Sequence, residues 1–96
     1  MVWKIKWSEE ALNDLNSIRV YIQYESFYYA EKCVNKILDE TRRLENFPRL
    51  GRVVPEYESD FMREIFVYDF RIIYSIEEVE VVKIAAIKHG KSLLTD

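Results

Sequence analysis

The stretch MREIFVYDFRIIYSIEEVEVVKIAAI, residues 62–87, decides the fold of this chain. It contains three runs rich in β-branched and aromatic residues, at 62–67, 70–76 and 79–87, and this composition is typical of β-strands. Only short polar turns, around Tyr68-Asp69 and Glu77-Glu78, separate the runs. Strands joined by such short links are antiparallel neighbours. The stretch therefore predicts a three-strand meander.

The residues before this stretch predict a further strand and two helices. In VWKIKW, residues 2–7, Trp3, Ile5 and Trp7 alternate with lysines, which is typical of a strand with one covered face. Ser8 and Ser26 are the expected N-caps of two amphipathic helices. Mostly apolar stripes recur at intervals of three and four along both helices: Ala11, Leu15, Ile18 and Ile22, then Ala30, Cys33, Val34, Ile37, Thr41 and Leu44. Helices joined this closely form an antiparallel hairpin.

The order of these elements predicts an α+β fold, β-α-α-β-β-β, with the helix hairpin packed on one face of a mostly antiparallel sheet. Ninety-six residues with 49% apolar content suffice for one core, so residues 1–96 are expected to form a single domain. The connector ENFPRLGRVVPEY, residues 45–57, links helices to sheet. In it, Pro48 ends the second helix, Gly51 permits a turn and Pro55 favours an extended approach to the sheet.

Composition narrows the possible functions. Fourteen basic and 17 acidic side chains give a formal net charge of −3, which argues against broad nucleic-acid binding through phosphates. With one cysteine, Cys33, and one histidine, neither an internal disulfide nor a protein-made zinc site is expected, and no metal or cofactor is predicted. The start, MVWKIKWSEEAL, lacks the uninterrupted apolar stretch of a signal peptide or membrane span. The expectation is a cytoplasmic location without membrane contact.

Alternation along the last two strands predicts which side chains lie on the sheet face away from the helices. Lys83 is the only charge in its apolar run, so its side is predicted to face solvent, as is that of Arg71 in the preceding strand. The other side chains assigned to this face are Ile73, Ser75, Val81, Ala85, Ile87 and His89. We therefore expect Arg71, Lys83 and His89 to share one surface, with Arg63 nearby. A guanidinium and an imidazole together suit phosphate binding and proton transfer, whereas each alone is more often ordinary surface.

An aromatic cluster lies where the two helices join. Its members are Tyr21, Tyr24, Phe27, Tyr28 and Tyr29. We expect these rings to pack between the helices rather than to stack on nucleic-acid bases.

Five motifs are distributed from Trp7 to His89. They are W-S-x-x-A-x-x-D-L at 7–15, F-P-x-x-G-R-x-V-P-E at 47–56, R-E-I at 63–65, F-R-I-I-Y at 70–74, and a histidine at a strand end. Together they resemble the RelE/ParE toxin superfamily, and most closely its ParE-type, plasmid-stabilisation branch. The resemblance implies the toxin component of a type II toxin–antitoxin system. ParE-like members inhibit growth by poisoning DNA gyrase, whereas RelE-like members are ribosome-dependent endoribonucleases that cut messenger RNA.

The resemblance also implies catalytic candidates for the RNase alternative. Arg71 matches the superfamily's phosphate-stabilising arginine, His89 falls where one RelE-like subgroup keeps a catalytic histidine, and Lys91 lies near another family cation. The lysines of the RelE type are absent from the second predicted strand, where Met62 and Glu64 stand. A glutamate there would repel substrate phosphates, so the ParE-type interpretation is favoured and enzyme activity stays an open alternative.

Partners follow from the same resemblance. It implies a cognate antitoxin of ParD, RelB or Phd type, a hetero-oligomer with that antitoxin, and contact with DNA only through the antitoxin. A third alternative is a binding module active only within such a repressor complex. Arg52 and Glu56 belong to the ParE-branch pattern. The binding candidates for target or antitoxin are Arg52, Glu56, Arg63, Arg71, Lys83 and His89.

Overall fold

The computed structural model describes residues 2–90 and contains two helices packed against a five-stranded sheet. Strand β1 (Lys4–Trp7) leads into helices α1 (Glu9–Gln23) and α2 (Phe27–Arg42). A single 3-10 turn (Arg43–Glu45) follows, and then come β2 (Arg52–Val53), β3 (Met62–Val67), β4 (Phe70–Glu77) and β5 (Val81–His89). The predicted order is confirmed, with the short strand β2 added from within the connector.

Both predicted helix starts are confirmed by their capping bonds. The Ser8 hydroxyl accepts the Ala11 N–H at 3.0 Å, and the Ser26 hydroxyl accepts the Tyr29 N–H at 3.2 Å. Each bond satisfies one backbone donor that a helix start would otherwise leave without a partner. The Ser8 hydroxyl also donates to the Ala85 carbonyl at 2.8 Å, so the start of α1 is fastened to β5.

Within residues 2–90 the sheet has the order β1-β5-β4-β3-β2, and its one parallel pair there is β1–β5. The meander β3-β4-β5 is antiparallel, as predicted. One face of the sheet packs on the helices around a core that includes Ile37, Leu44, Ile72, Tyr74 and Ile84. Cys33 is buried within this core, as expected for an apolar helix residue.

Strand β5 departs from simple alternation at Ala85. Ile73 pairs with Ala86, but the next residue, Tyr74, pairs with Ile84, so Ala85 is an extra residue in β5. Such a bulge exchanges the faces of all residues beyond it. The prediction that Ile87 lies opposite the helices is therefore wrong, because Ile87 pairs with Ile72 and lies in the core.

Tyr74 fastens the connector to the core. Its side chain is fully buried, and its hydroxyl donates to the Pro48 carbonyl at 2.7 Å while accepting the Gly51 N–H at 2.9 Å. Burial raises the pKa of this phenol above its ordinary value.

Replacing Tyr74 by Phe is expected to lower the free energy of unfolding by about 1–3 kcal/mol, because the Gly51 N–H loses a buried partner. Urea unfolding with an unchanged m-value would measure this loss. Since the folded-state pKa is raised, this tyrosine's contribution to stability is present below its unfolded pKa of about 10 and is lost as pH rises through the folded value. Tyr74→Phe should therefore also reduce alkaline destabilisation, and an identical alkaline profile in the variant would contradict the assignment.

Candidate functional site

Four charged side chains from the motif segments form one network on the sheet face away from the helices. Arg71 lies at its centre, with Nε 2.6 Å from Glu64 Oε1 and its two terminal nitrogens 2.8 and 2.9 Å from the Glu56 carboxylate. Glu64 links Arg71 to the fourth member of the network, because its Oε2 lies 2.7 Å from Arg52 Nε. Positive and negative charges alternate along the series of contacts from Arg52 through Glu64 and Arg71 to Glu56. Glu64 and Arg71 therefore each contact two side chains of opposite charge.

This network is buried at its centre and exposed at one end. The side chain of Glu64 is 0% exposed and that of Arg71 is 5% exposed, whereas that of Arg52 is 58% exposed. The two-pronged bond with Glu56, together with Glu64, holds the pKa of the Arg71 guanidinium above its already high ordinary value. Arg71 is therefore permanently charged, and its charge is compensated by two carboxylates within the fold.

Arg52 presents the exposed end of the network. Its guanidinium lies over the ring of Phe66, 5.1 Å from the centroid, while Glu64 binds its Nε. Phe66 itself is half exposed. The stacking and the ion pair hold the arginine in one orientation, and a guanidinium so placed can bind a carboxylate or a carbonyl of a partner.

Arg63 does not lie with Arg71, contrary to the prediction. It pairs in register with Tyr74, on the helix side of the sheet, and its guanidinium donates to the Gly51 carbonyl at 2.9 Å and to the Asp60 carboxylate at 2.6 Å. Hydrogen bonds from Arg49 and Arg63 hold the pKa of the Asp60 carboxyl below its usual range. Arg63 therefore orders the connector rather than joining Arg71.

His89 also lies on the opposite side of the sheet from Arg71. It pairs with Phe70, which packs on the helix-side core, and the two rings meet edge to face with centroids 6.3 Å apart. The predicted shared surface is wrong for His89, because the bulge at Ala85 exchanges the faces of the residues that follow it. His89 instead borders a groove of 760 Å³ between the helices and the sheet end, with Ile18, Ile22, Cys33 and Phe70 among its lining.

The remaining candidates lie apart from the network or beyond the described residues. Lys83 is exposed on the face away from the helices, as predicted, but it pairs with Ser75, four positions along β4 from Arg71. At roughly 3.3 Å per strand residue this separation is about 13 Å. Lys91 lies outside residues 2–90. Arg52, Glu56 and Arg71 are thus brought together, whereas Arg63, Lys83 and His89 are each elsewhere.

The aromatic cluster at the helix junction is exposed, contrary to the prediction that it packs between the helices. Six apolar side chains there are 58% to 93% exposed. We call them the aromatic tip: Val20, Tyr21, Tyr24, Phe27, Tyr28 and Tyr29. The residues of α1 and α2 that face the core are instead the predicted apolar stripe, including Ala11, Leu15 and Ile37.

Two classes of site find no support within the described residues. No group of His, Cys, Asp and Glu side chains in residues 2–90 is arranged to hold a metal ion. Over the same range, neither helix has the length and apolar character needed to cross a bilayer.

Solved structures that this chain resembles include toxins and toxin–antitoxin complexes. The chromosomal ParDE toxin–antitoxin system from P. aeruginosa superposes with a TM-score of 0.76 at 20% identity, covering 94% of this chain and 98% of that one. The free E. coli toxin RelE, as a mutant, gives 0.67 at 13% identity, covering 95% and 86%. The RelBE2 complex from Mycobacterium tuberculosis gives 0.66 at 15% identity, covering 93% and 92%. Comparison with curated protein sequences returns no significant match.

These similarities define the class of fold as that of the RelE/ParE-like toxins. Residues 5–94 match the family described as ParE toxin of type II toxin-antitoxin system, parDE. The chain belongs to this ParE toxin family, and the branch expected from its motifs is confirmed.

Sequence reasoning missed the role of Glu64. It treated this residue only as a source of repulsion toward substrate phosphates, whereas its carboxylate is enclosed by Arg52 and Arg71. The signal was available in the two motif arginines, each of which needs a counter-charge when it lies on a packed sheet.

Proposed function

We propose that this ParE-family toxin arrests growth by binding DNA gyrase, without catalysing RNA cleavage, and that a cognate antitoxin neutralises it. The observation that carries the proposal is the state of Arg71. Its guanidinium is nearly inaccessible and is bound by the carboxylates of Glu56 and Glu64. An arginine that stabilises a transferring phosphate must direct its N–H groups at that phosphate. Compensation by two carboxylates opposes this role.

The separation of His89 from Arg71 supports the same proposal. General acid catalysis and charge stabilisation must act on one phosphodiester, so their side chains must converge within hydrogen-bond reach of it. Here the sheet lies between the two side chains. His89 pairs with Phe70, which packs on the helix side, whereas Arg71 pairs with Lys88 and points to the opposite face. This separation supports a toxin that acts by binding, and Arg52 with Phe66 offers an oriented, exposed contact for it.

A supercoiling assay tests the gyrase target. The purified chain at micromolar concentration is expected to inhibit supercoiling by gyrase or to trap its cleaved-DNA complex, and Arg52→Ala is expected to weaken the effect by several-fold because it removes the oriented guanidinium. Lys83→Ala, which removes an exposed cation on the same sheet face but outside the network, is the matched control. Unimpaired gyrase together with growth arrest in cells would refute this target.

The RNase alternative is tested in the same cells. Under the gyrase proposal, ribosome-bound messenger RNA stays intact after induction of the toxin. If messages are cut near the ribosomal site and His89→Ala abolishes the cutting, the RelE-like alternative replaces the gyrase proposal.

The antitoxin is the second partner proposed. Related folds have been solved as ParDE and RelBE complexes, which supports a companion of ParD, RelB or Phd type for this chain. Coexpression with the product of the neighbouring reading frame is expected to yield a copurifying hetero-oligomer and to restore growth. Toxicity that no neighbouring product relieves would refute it.

A further inference from the structure

The aromatic tip exposes more apolar surface than a protein without a partner usually does. A Phe or Tyr side chain offers about 150–250 Å² of surface, so the exposed part of the tip is on the order of 800 Å². The largest apolar patch of a typical monomer is about 300–600 Å². A stable interface buries about 800 Å² on each partner. The tip alone therefore supplies the area of one side of a protein–protein interface.

Two rings of the tip, those of Tyr28 and Tyr29, are held by contacts within the protein. Tyr28 and Tyr29 meet edge to face with centroids 5.3 Å apart, and Lys32 Nζ lies 5.8 Å from the centre of the Tyr28 ring. The backbone beneath them is fixed by the Ser26 cap on the Tyr29 N–H. Ordering before contact reduces the side-chain entropy that association must overcome.

The tip also carries a recess beside its most exposed ring. Tyr24 is 93% exposed. Its ring forms part of the wall of a cavity of 540 Å³, together with Tyr21, Ile22 and Tyr29 among others. Interface anchors are most often aromatic rings that enter such recesses on the partner. The tip therefore carries both an exposed ring that can anchor a contact, Tyr24, and a recess that can accept such a ring. A surface that binds a copy of itself needs both.

Charge around the tip is balanced. Arg19 and Glu31 form an ion pair at 3.3 Å, and Lys32 and Glu25 add one charge of each sign. A symmetric contact brings the same patch of both copies together, so a patch of one sign would repel its counterpart, whereas a balanced one does not. A nucleic-acid site would instead be basic.

We propose that the aromatic tip is a self-association surface through which two copies of this chain form a symmetric dimer. The contact places Tyr24 of each copy in the recess beside Tyr21 and Tyr29 of the other. This surface is distinct from the Arg52–Phe66 contact, so the inference goes beyond the proposed function and does not depend on the gyrase target.

Sedimentation equilibrium of the full chain, made by cell-free synthesis without antitoxin, tests the dimer. The wild-type chain is expected to dimerise with a dissociation constant in the micromolar range. Tyr24→Ser and Tyr21→Ser should each raise that constant at least tenfold, since each removes an anchor. Both side chains are more than 80% exposed, so both variants should fold. Thermal unfolding midpoints, extrapolated to dilute protein where the chain is monomeric, should match those of the wild type. Phe47→Ser is the matched control, because Phe47 is 60% exposed and lies outside the tip.

The outcomes separate cleanly. A wild-type chain that is still monomeric at a protein concentration of about 100 μM would overturn the proposal. A dimer weakened equally by Tyr24→Ser and Phe47→Ser would also overturn it. If the chain is monomeric and the tyrosine variants instead lose gyrase or antitoxin binding, the tip serves a different protein partner. A folded, monomeric Tyr24→Ser chain that still inhibits gyrase would support the dimer and the gyrase target separately.

Discussion

Replacing Arg71 by Ala is expected to lower the free energy of unfolding by about 3–5 kcal/mol, which is the usual cost of leaving a buried charge without its partner. The Glu64 carboxylate is fully enclosed, so without Arg71 it loses one of its two cations and keeps the Arg52 contact. Total stability of a small domain is about 5–15 kcal/mol, so this loss is a large part of it. Urea unfolding followed by circular dichroism would measure the shift in midpoint.

Arg52→Ala is the matched control, since it removes the other cation bound to Glu64. Because the Arg52 side chain is mostly exposed, its loss should cost only about 1 kcal/mol. A double variant, Arg71→Met with Glu64→Leu, removes both buried charges and should be more stable than Arg71→Ala alone. Should Arg71→Ala fail to fold, this double variant and Arg71→Lys still report on the network. Equal losses for Arg71→Ala and Arg52→Ala would contradict the buried-charge account.

Gly51→Ala is the substitution with the second largest expected effect, a loss of about 1–3 kcal/mol or more through overpacking. A Cβ at this position would lie 2.4 Å from the Glu64 carbonyl oxygen and 2.8 Å from the Tyr74 hydroxyl. The carbonyl belongs to β3, where Glu64 pairs with Arg52, so relief of the clash requires a shift of β2. The glycine is needed for close approach of two backbones, since its φ is not positive.

The control for this substitution is Leu50→Ala, because Leu50 is the adjacent residue and its side chain is substantially exposed. It should leave the unfolding midpoint nearly unchanged. Adding Tyr74→Phe to Gly51→Ala removes the hydroxyl but leaves the backbone oxygen in place, so the double variant should remain destabilised. A Gly51→Ala chain as stable as the Leu50→Ala chain would contradict the close approach.

Local patterns were sufficient to predict the helices and the meander. Ser8 and Ser26 act within three residues of themselves, and the apolar stripe of α2 repeats within two turns, so both are independent of distant contacts. The turns within residues 62–87 are so short that the strands they join must be antiparallel neighbours. The motifs of the same segments were sufficient to indicate the family.

The candidate site was harder to predict because it depends on register between strands. A single extra residue at Ala85 places His89 on the helix side, and alternation alone cannot reveal a bulge. Likewise, the exposure of Tyr24 depends on what packs against the helix junction, which the aromatic content of the junction does not specify.

The sequence by itself determined the order of elements, the caps, the core stripes and membership of the superfamily, because each is encoded in residues close along the chain. Only the tertiary structure decided that Arg52, Glu56, Glu64 and Arg71 form one network and that His89 is excluded from it. Those contacts join residues 7 to 15 positions apart across different strands and the connector. Their formation depends on strand pairing and on burial of charge, which become defined only when the sheet is assembled.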